Sequence, residues 1–140
     1  MIKCEELKKI LKSNKIKNIT GVPDSNLKEL LVSLNKDKYF NNITAVNEGA
    51  AISIASGRYL SCGEISLVYL QNSGLGNAIN PLTSLSNKEV YNTPLVLFIG
   101  WRGSRKDEIQ HKKMGKITKE ILNLLEIKTE IIEKKKDLKK

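Results

Sequence analysis

Apolar residues recur along this chain with two alternating periods. In residues 3–14 they fall at Cys4, Leu7, Ile10 and Leu11, which is the spacing of a helix with one buried face. Residues 94–100 form a continuous apolar run, which is typical of a buried strand. The same criteria predict, in chain order, helix 3–14, strand 16–22, helix 27–34, strand 43–46, helix 48–60, strand 65–70, helix 78–85, strand 94–100, polar loop 101–111, helix 117–125 and strand 127–132.

This alternation of strands and helices predicts an α/β fold, a parallel sheet with helices on both faces. We expect residues 1–133 to form one domain and the basic residues 134–140 to begin a C-terminal helix. In an open parallel sheet, ligands bind outside the carboxyl ends of the strands. The polar segments that follow predicted strands are 21–26, 47–49, 71–76 and 100–111, so we expect the functional site where they meet.

Charge and composition narrow the classes of function. The net charge is +9, but only three of the 24 basic residues are arginine. Residues 112–140 carry +5 of that charge, and no nucleic-acid-binding motif accompanies it. We therefore expect neither a nucleic-acid nor a membrane partner. The charged N-terminus, the two separated cysteines and the single histidine argue against a signal peptide and a Cys/His zinc site, and indicate a cytoplasmic protein.

Glu48 is the first candidate for chemistry. It begins a predicted helix, where the helix dipole alone would favour an acid. The residues that follow it are almost all small or apolar, so this helix is predicted to be buried. A poorly solvated carboxylate at that position can hold and share a proton.

Other candidate residues support two interpretations each. The loop Gln71-Asn72-Ser73-Gly74 and the residues after it could cradle a phosphate, although a turn with a helix cap fits the glycine spacing better. His111 is a lone histidine in a polar loop. Arg102 and Arg105 could bind an anionic substrate or pair with the neighbouring acids at 107 and 108.

Five motifs, taken together and in this order, carry a family resemblance. They are GVPDS at 21–25, NEGAA at 47–51, YLQNSGLGN at 69–77, GWRG at 100–103, and KDE followed by QH within 106–111. This series resembles the N-terminal domain of the phosphonopyruvate decarboxylase family, thiamine-diphosphate enzymes closely related to sulfopyruvate decarboxylase. The resemblance extends over residues 5–132.

The resemblance implies a pyrimidine-binding domain with thiamine diphosphate as cofactor. Glu48 matches the glutamate that hydrogen-bonds the aminopyrimidine ring nitrogen and favours the imino tautomer, which takes the proton from the thiazolium carbon. Gln71, Asn72, Ser73 and Gly74 match the loop at the reactive end of the cofactor.

The resemblance also implies residues around a 2-keto acid substrate. Asp24 and Ser25 match a polar turn that faces the substrate. Gln110 and His111 fall where pyruvate-type decarboxylases carry a histidine pair, from which Gln110 departs. Arg102 is expected to bind the anionic tail of the substrate, because arginine can hold two oxygens in a bidentate fork.

One element of the family is absent from the sequence. Its second half binds the diphosphate through Mg²⁺ with a Gly-Asp-Gly motif, which does not occur in these 140 residues. We therefore expect no metal ligand in this chain, and activity only with a diphosphate-binding domain or beta subunit in a homo- or hetero-oligomer. The favoured reaction converts 3-phosphonopyruvate to phosphonoacetaldehyde and CO₂. The alternatives are a sulfopyruvate decarboxylase alpha subunit and a non-catalytic binding domain of this fold.

Overall fold

The computed structural model describes residues 4–104 and 107–132. Its helices and strands are α1 (Cys4–Ser13), β1 (Asn18–Gly21), α2 (Lys28–Asn35), β2 (Asn41–Thr44), α3 (Glu48–Cys62), β3 (Ser66–Gln71), α4 (Leu75–Pro81), β4 (Leu95–Gly100) and α5 (Ile109–Leu124). Short 3₁₀ turns, Ser25–Leu27 and Asn72–Gly74, lead into α2 and α4, and a π-helical turn, Leu82–Ser86, extends α4. None of the helices in the described ranges is long and apolar enough to cross a membrane.

The four strands form one parallel sheet in the order β2-β1-β3-β4. Side chains of a strand point alternately to its two faces, and β3 is buried on both. Leu67 packs with α1 and α2, whereas Val68 and Leu70 pack with α3, α4 and α5. The predicted α/β fold with helices on both faces of a parallel sheet is therefore confirmed.

Two predicted strands differ from the structure at the borders of the sheet. The strand predicted over 43–46 is Asn41–Thr44, an edge strand whose residues are mostly exposed. The strand predicted as buried over 94–100 is the opposite edge within the described residues; Val96 is exposed, the other side chains are half-buried, and only Gly100 is buried. Their edge positions explain the exposure of the side chains in both strands. An edge strand has a neighbouring strand on only one side, and the helices cover it less completely than the central strands.

The C-terminal elements differ more. Helix α5 begins at Ile109, well before the predicted start at 117. Its first turns are mostly exposed and polar, so they have no apolar period from which a helix could be predicted. The predicted loop 101–111 consequently ends in a helix that carries Gln110 and His111. The predicted strand over 127–132 is wrong, since these residues pair with no strand of the described sheet.

The end of α5 explains that error. Glu126 has a left-handed backbone conformation with φ 55°. The Ile127 N–H then donates to the Leu122 carbonyl at 3.0 Å, a hydrogen bond that closes a helix C-terminus. Ile127 also packs against the core cluster of α3, α4 and α5. Ile127 thus closes the helix rather than beginning a further strand. The predicted helix over 134–140 lies outside the described residues.

Two glycines illustrate opposite demands on the backbone. Gly21, at the end of β1, lies so close to β3 that a Cβ there would overlap the carbonyl oxygen and ring of Tyr69. Gly57, in the middle of α3, has no atom within 4 Å of the position that its Cβ would occupy. The close approach of β1 to β3 therefore requires glycine at position 21, whereas α3 does not require it at 57.

We expect Gly21→Ala and Gly57→Ala to change stability in opposite directions. Overpacking against Tyr69 should destabilise Gly21→Ala by about 1–3 kcal/mol. Alanine in an open helical position should stabilise Gly57→Ala by about 0.5–1 kcal/mol. Urea unfolding of both variants measures this. Equal midpoints for the two would show that β1 and β3 are not in contact at Gly21.

Candidate functional site

The polar segments after the strands meet at the carboxyl edge of the sheet, as predicted. The Asn26 side-chain amide donates to the Trp101 carbonyl at 3.2 Å, which joins the loop after β1 to the loop after β4. Gly100 makes the approach possible, because a Cβ at that position would overlap the Asp24 carboxylate. Asp24, Ser25, Lys28 and Tyr69 line a cleft of about 320 Å³ beside this junction.

Asn72 connects the loops after β3 and β4 to α5. Its side chain is fully buried, with 0% of the residue exposed. Its amide nitrogen donates to the Arg102 carbonyl and to Thr118 Oγ1, both at 2.9 Å, and its Oδ1 accepts from the Arg102 N–H at 3.1 Å. These bonds fix the two loops against the helix. The side-chain amide of Asn72 is therefore already paired within the chain. Its predicted contact with a cofactor stays a prediction.

The residues on either side of Asn72 are less buried than Asn72 itself at this edge of the sheet. Gln71 and Ser73 are hydrogen-bonded to each other through their side chains, and Ser73 is exposed. Gly74 is buried, and a Cβ at this glycine would overlap the carboxylate of Glu48. The loop after β3 therefore passes directly over the start of α3.

Glu48 is the first residue of α3 and lies where the sequence predicts it. The preceding Asn47 caps the helix, since its Oδ1 accepts from the Ala50 N–H at 2.8 Å. Only 9% of Glu48 is exposed. Asn77 of the facing helix α4 donates from Nδ2 to Glu48 Oε2 at 2.8 Å. The carboxylate is thus buried and held in one orientation.

Asn77 is a site residue to which the sequence interpretation assigns no role. It belongs to the QNSGLGN motif, which was the available signal, but its partner Glu48 is 29 residues away. Small residues in α3 allow α4 to come close enough for this bond. At Gly49, a Cβ would lie 2.9 Å from the Asn77 carbonyl oxygen.

Arg102 lies at the centre of the charged part of the site. Its guanidinium contacts Asp107 (Nη1 to Oδ1, 3.0 Å), Ser25 Oγ through Nη2, and Asp24 (Nε to Oδ1, 3.8 Å). The Gly103 N–H donates to Asp107 at 2.9 Å, and this bond, together with Arg102, holds the pKa of the Asp107 carboxyl below its usual value. Pairing with Asp107 is one of the two predicted roles of Arg102. Arg105 lies outside the described residues.

Gln110 and His111 occupy the first turn of α5. Gln110 is exposed and His111 is half-buried. The backbone of this turn supports the loop after β4, because a Cβ at Gly103 would lie 2.5 Å from the His111 carbonyl oxygen. The Trp101 indole N–H donates to the Gly115 carbonyl, also in α5, at 3.2 Å. The structure thus brings this turn to the same edge as Arg102. The roles of Gln110 and His111 toward a substrate stay predictions.

Within 4–104 and 107–132, no three His, Cys, Asp or Glu side chains are grouped so that they could hold a metal ion. A buried carboxylate fixed by an amide is suited instead to a hydrogen bond with a polar ligand.

The fold and the site define a class of protein. It is an α/β domain with a buried glutamate and glycine-containing loops at the carboxyl edge of a parallel sheet. Residues 5–124 match the family model described as thiamine pyrophosphate enzyme, N-terminal TPP binding domain. The chain belongs to this family.

The proteins similar to this chain include both phosphonopyruvate and sulfopyruvate decarboxylases, the two types that the sequence motifs resemble. The sulfopyruvate decarboxylase alpha subunits of Methanococcus maripaludis and Methanocaldococcus jannaschii are 40% and 38% identical over 78% and 85% of this chain. The phosphonopyruvate decarboxylase of Streptomyces viridochromogenes is 38% identical over 84% of it. The matches cover 64%, 69% and 29% of these relatives' own lengths.

Solved structures agree with the fold. The thiamine diphosphate-dependent 4-hydroxybenzoylformate decarboxylase of Rhodococcus jostii RHA1 superimposes with a TM-score of 0.64 at 26% identity, covering 83% of this chain and 23% of that chain. The benzoylformate decarboxylase of Polynucleobacter necessarius gives 0.61 at 27% identity, covering 74% of this chain and 19% of that one.

We expect Asn72→Asp to destabilise the chain strongly. The substitution replaces the donor to the Arg102 carbonyl and Thr118 with a carboxylate oxygen in a fully buried position. A buried polar group without its partner costs about 1–3 kcal/mol, and a charged group costs more. Asn80→Asp, at an exposed position of α4, is the matched control and should change stability little. Equal urea midpoints for the two variants would contradict the role assigned to Asn72.

Proposed function

We propose that this chain is the pyrimidine-binding half of a thiamine-diphosphate-dependent 2-keto acid decarboxylase that acts on 3-phosphonopyruvate. The observation that supports this most directly is the setting of Glu48. Its carboxylate is buried at the start of α3, oriented by Asn77 and packed against the backbone of Gly74. Family membership supports the same cofactor.

The residues present fit the pyrimidine end of that cofactor. Among the described residues, the hydrogen bond to the Glu48 carboxylate comes from Asn77 onto Oε2. Oε1, which lies against Gly74, is the oxygen that we propose for a ring nitrogen of a ligand. Gly74 leaves room for the carboxylate, because a side chain there would displace it. Gln71 and Ser73 lie on the same loop and are our further candidates for cofactor contact.

In this proposal each residue of the chain has a limited task. Thiamine diphosphate, when bound, supplies the electron sink that makes loss of CO₂ from a 2-keto acid possible. Glu48 holds and shares a proton at Oε1, and its low exposure keeps water from competing. Asn77 keeps that oxygen in position. Asp24, Ser25, Gln110 and His111 are proposed to face the substrate.

The proposal includes a second polypeptide or domain. It would carry the Gly-Asp-Gly motif that this sequence lacks, and bind the diphosphate and Mg²⁺. The active form is then a homo- or hetero-oligomer, and we propose that it works in the cytoplasm. Both sulfopyruvate decarboxylase relatives described above are named alpha subunits, which supports a two-chain arrangement.

Sulfopyruvate is the second candidate substrate. It is supported by the two alpha subunits described above, whose identity to this chain equals or exceeds that of the Streptomyces phosphonopyruvate decarboxylase. We favour 3-phosphonopyruvate because of the motifs GWRG, KDE and QH between residues 100 and 111. Turnover of the two substrates by one preparation, compared as kcat/KM, identifies the better one.

We expect Glu48→Gln to abolish most of the activity without unfolding the chain. The amide keeps the shape of the side chain but cannot hold a proton in the same way, and such acid–base contributions are about 10²–10⁴-fold. The assay combines this chain with the Gly-Asp-Gly polypeptide of the same source and follows 3-phosphonopyruvate by ³¹P NMR.

Glu29→Gln is the matched control for that assay. Glu29 also lies in the first turn of a helix, α2, but is exposed. We expect it to retain wild-type turnover, and this chain alone to show none. Wild-type turnover by Glu48→Gln would contradict the role of Glu48. No turnover of either substrate by the assembled wild type would contradict the proposed function.

A further inference from the structure

We propose that Arg102 is a positioning residue, which holds the Asp24–Ser25 turn in place and does not bind the anionic tail of the substrate. The inference rests on the proposed function only for what the turn faces. The contacts that carry it are independent of that function.

The guanidinium of Arg102 faces three side chains of this chain. Nη1 bonds Asp107 and Nη2 bonds Ser25, while the buried Nε makes no hydrogen bond within the described residues and lies 3.8 Å from Asp24. Arginine carries five N–H donors in a rigid fork, so one side chain can serve groups on two loops at once. Only 25% of this side chain is exposed, which limits the access of a further ligand.

The backbone of Arg102 is fixed as well. Its N–H and its carbonyl both bond the buried amide of Asn72. The guanidinium therefore extends from an anchored point onto the turn. If Arg102 turned toward a substrate, its guanidinium would have to leave Asp107, Ser25 and Asp24. It would have to do so by side-chain rotation alone, because Asn72 holds the backbone in place.

The turn itself depends on this contact. The Asp24 side chain is 1% exposed, and its Oδ2 accepts from the Asn26 N–H at 3.1 Å. The carboxylate thus lies between that N–H and the guanidinium. A buried carboxylate needs such partners, because leaving it unpaired is costly. Removal of Arg102 should therefore displace Asp24 and Ser25 together.

Charge argues against tail binding at the same point. One guanidinium faces two carboxylates, those of Asp24 and Asp107, so the three groups together carry −1. A phosphonate or sulfonate that approached Arg102 would meet this net negative charge. Like charges at such short range repel, and the tail would have to displace a carboxylate already in place.

The first test measures amide hydrogen exchange at Asn26 by NMR in the 140-residue chain, without cofactor or substrate. We expect Arg102→Gln to speed exchange of this amide by about tenfold or more, because Asp24 is released from the turn. Arg102→Lys should give an intermediate rate, since lysine restores the charge but not the fork. If Arg102→Gln fails to fold, the exchange rate of Asn26 in Arg102→Lys still tests the proposal.

Arg58→Gln is the matched control. Arg58 pairs with Glu64 at 2.8 Å, near the start of β3 and at the opposite edge of the sheet from Asn26. We expect its loss to leave exchange at Asn26 unchanged. An exchange rate in both Arg102 variants equal to that of Arg58→Gln would overturn the proposal.

The second test compares substrates in the assembled enzyme. A positioning role predicts that Arg102→Lys lowers kcat by the same factor for 3-phosphonopyruvate and for pyruvate, which lacks the tail, with small changes in KM. Misplacement of a group in an active site by about 1 Å can cost on the order of 10²-fold. A rise in KM confined to 3-phosphonopyruvate would overturn the proposal. If the assembled wild type is inactive, the proposed function fails, and exchange at Asn26 still decides the role of Arg102.

Discussion

A carboxylate can lie buried at the start of a helix only if the facing backbone leaves room for it and a donor fixes it. Glu48 meets both conditions through Gly74, whose missing side chain leaves the space, and through Asn77, which bonds Oε2. Both residues belong to the segment that follows β3, so the position of that strand decides the setting of Glu48. The parallel sheet is what brings this segment over the start of α3.

The same edge shows how a polar site is built beside a hydrophobic core. Asn72 uses its buried amide to join two loops and α5, and Arg102 uses its guanidinium to join the loops after β1 and β4. Buried polar groups in such networks are stable when each has a partner. One consequence is that the positions of Asp24 and Ser25 depend on residues far away in the sequence.

Hydrophobic periodicity was sufficient to predict the order of the strands and helices and the parallel sheet, because the core is formed by regular apolar faces. The sequence was also sufficient to place Glu48 at the start of a helix, although only one face of that helix is buried. Periodicity failed for the first turns of α5, which are mostly exposed, and for residues 127–132, of which Ile127 closes that helix. The partners of Arg102 were only half predictable, since Asp107 is a sequence neighbour while Ser25 is 77 residues away.

We propose that Glu48 acts on the proton chemistry of the cofactor. This role is tested most directly by the rate at which the thiazolium proton of bound thiamine diphosphate exchanges with deuterium, measured by quenched flow and NMR in the assembled enzyme. Acid–base contributions of this kind are about 10²–10⁴-fold, and we expect the exchange rate to fall by that order in Glu48→Gln. An exchange rate in Glu48→Gln equal to that of the wild type, with the cofactor bound in both, would contradict this role of Glu48.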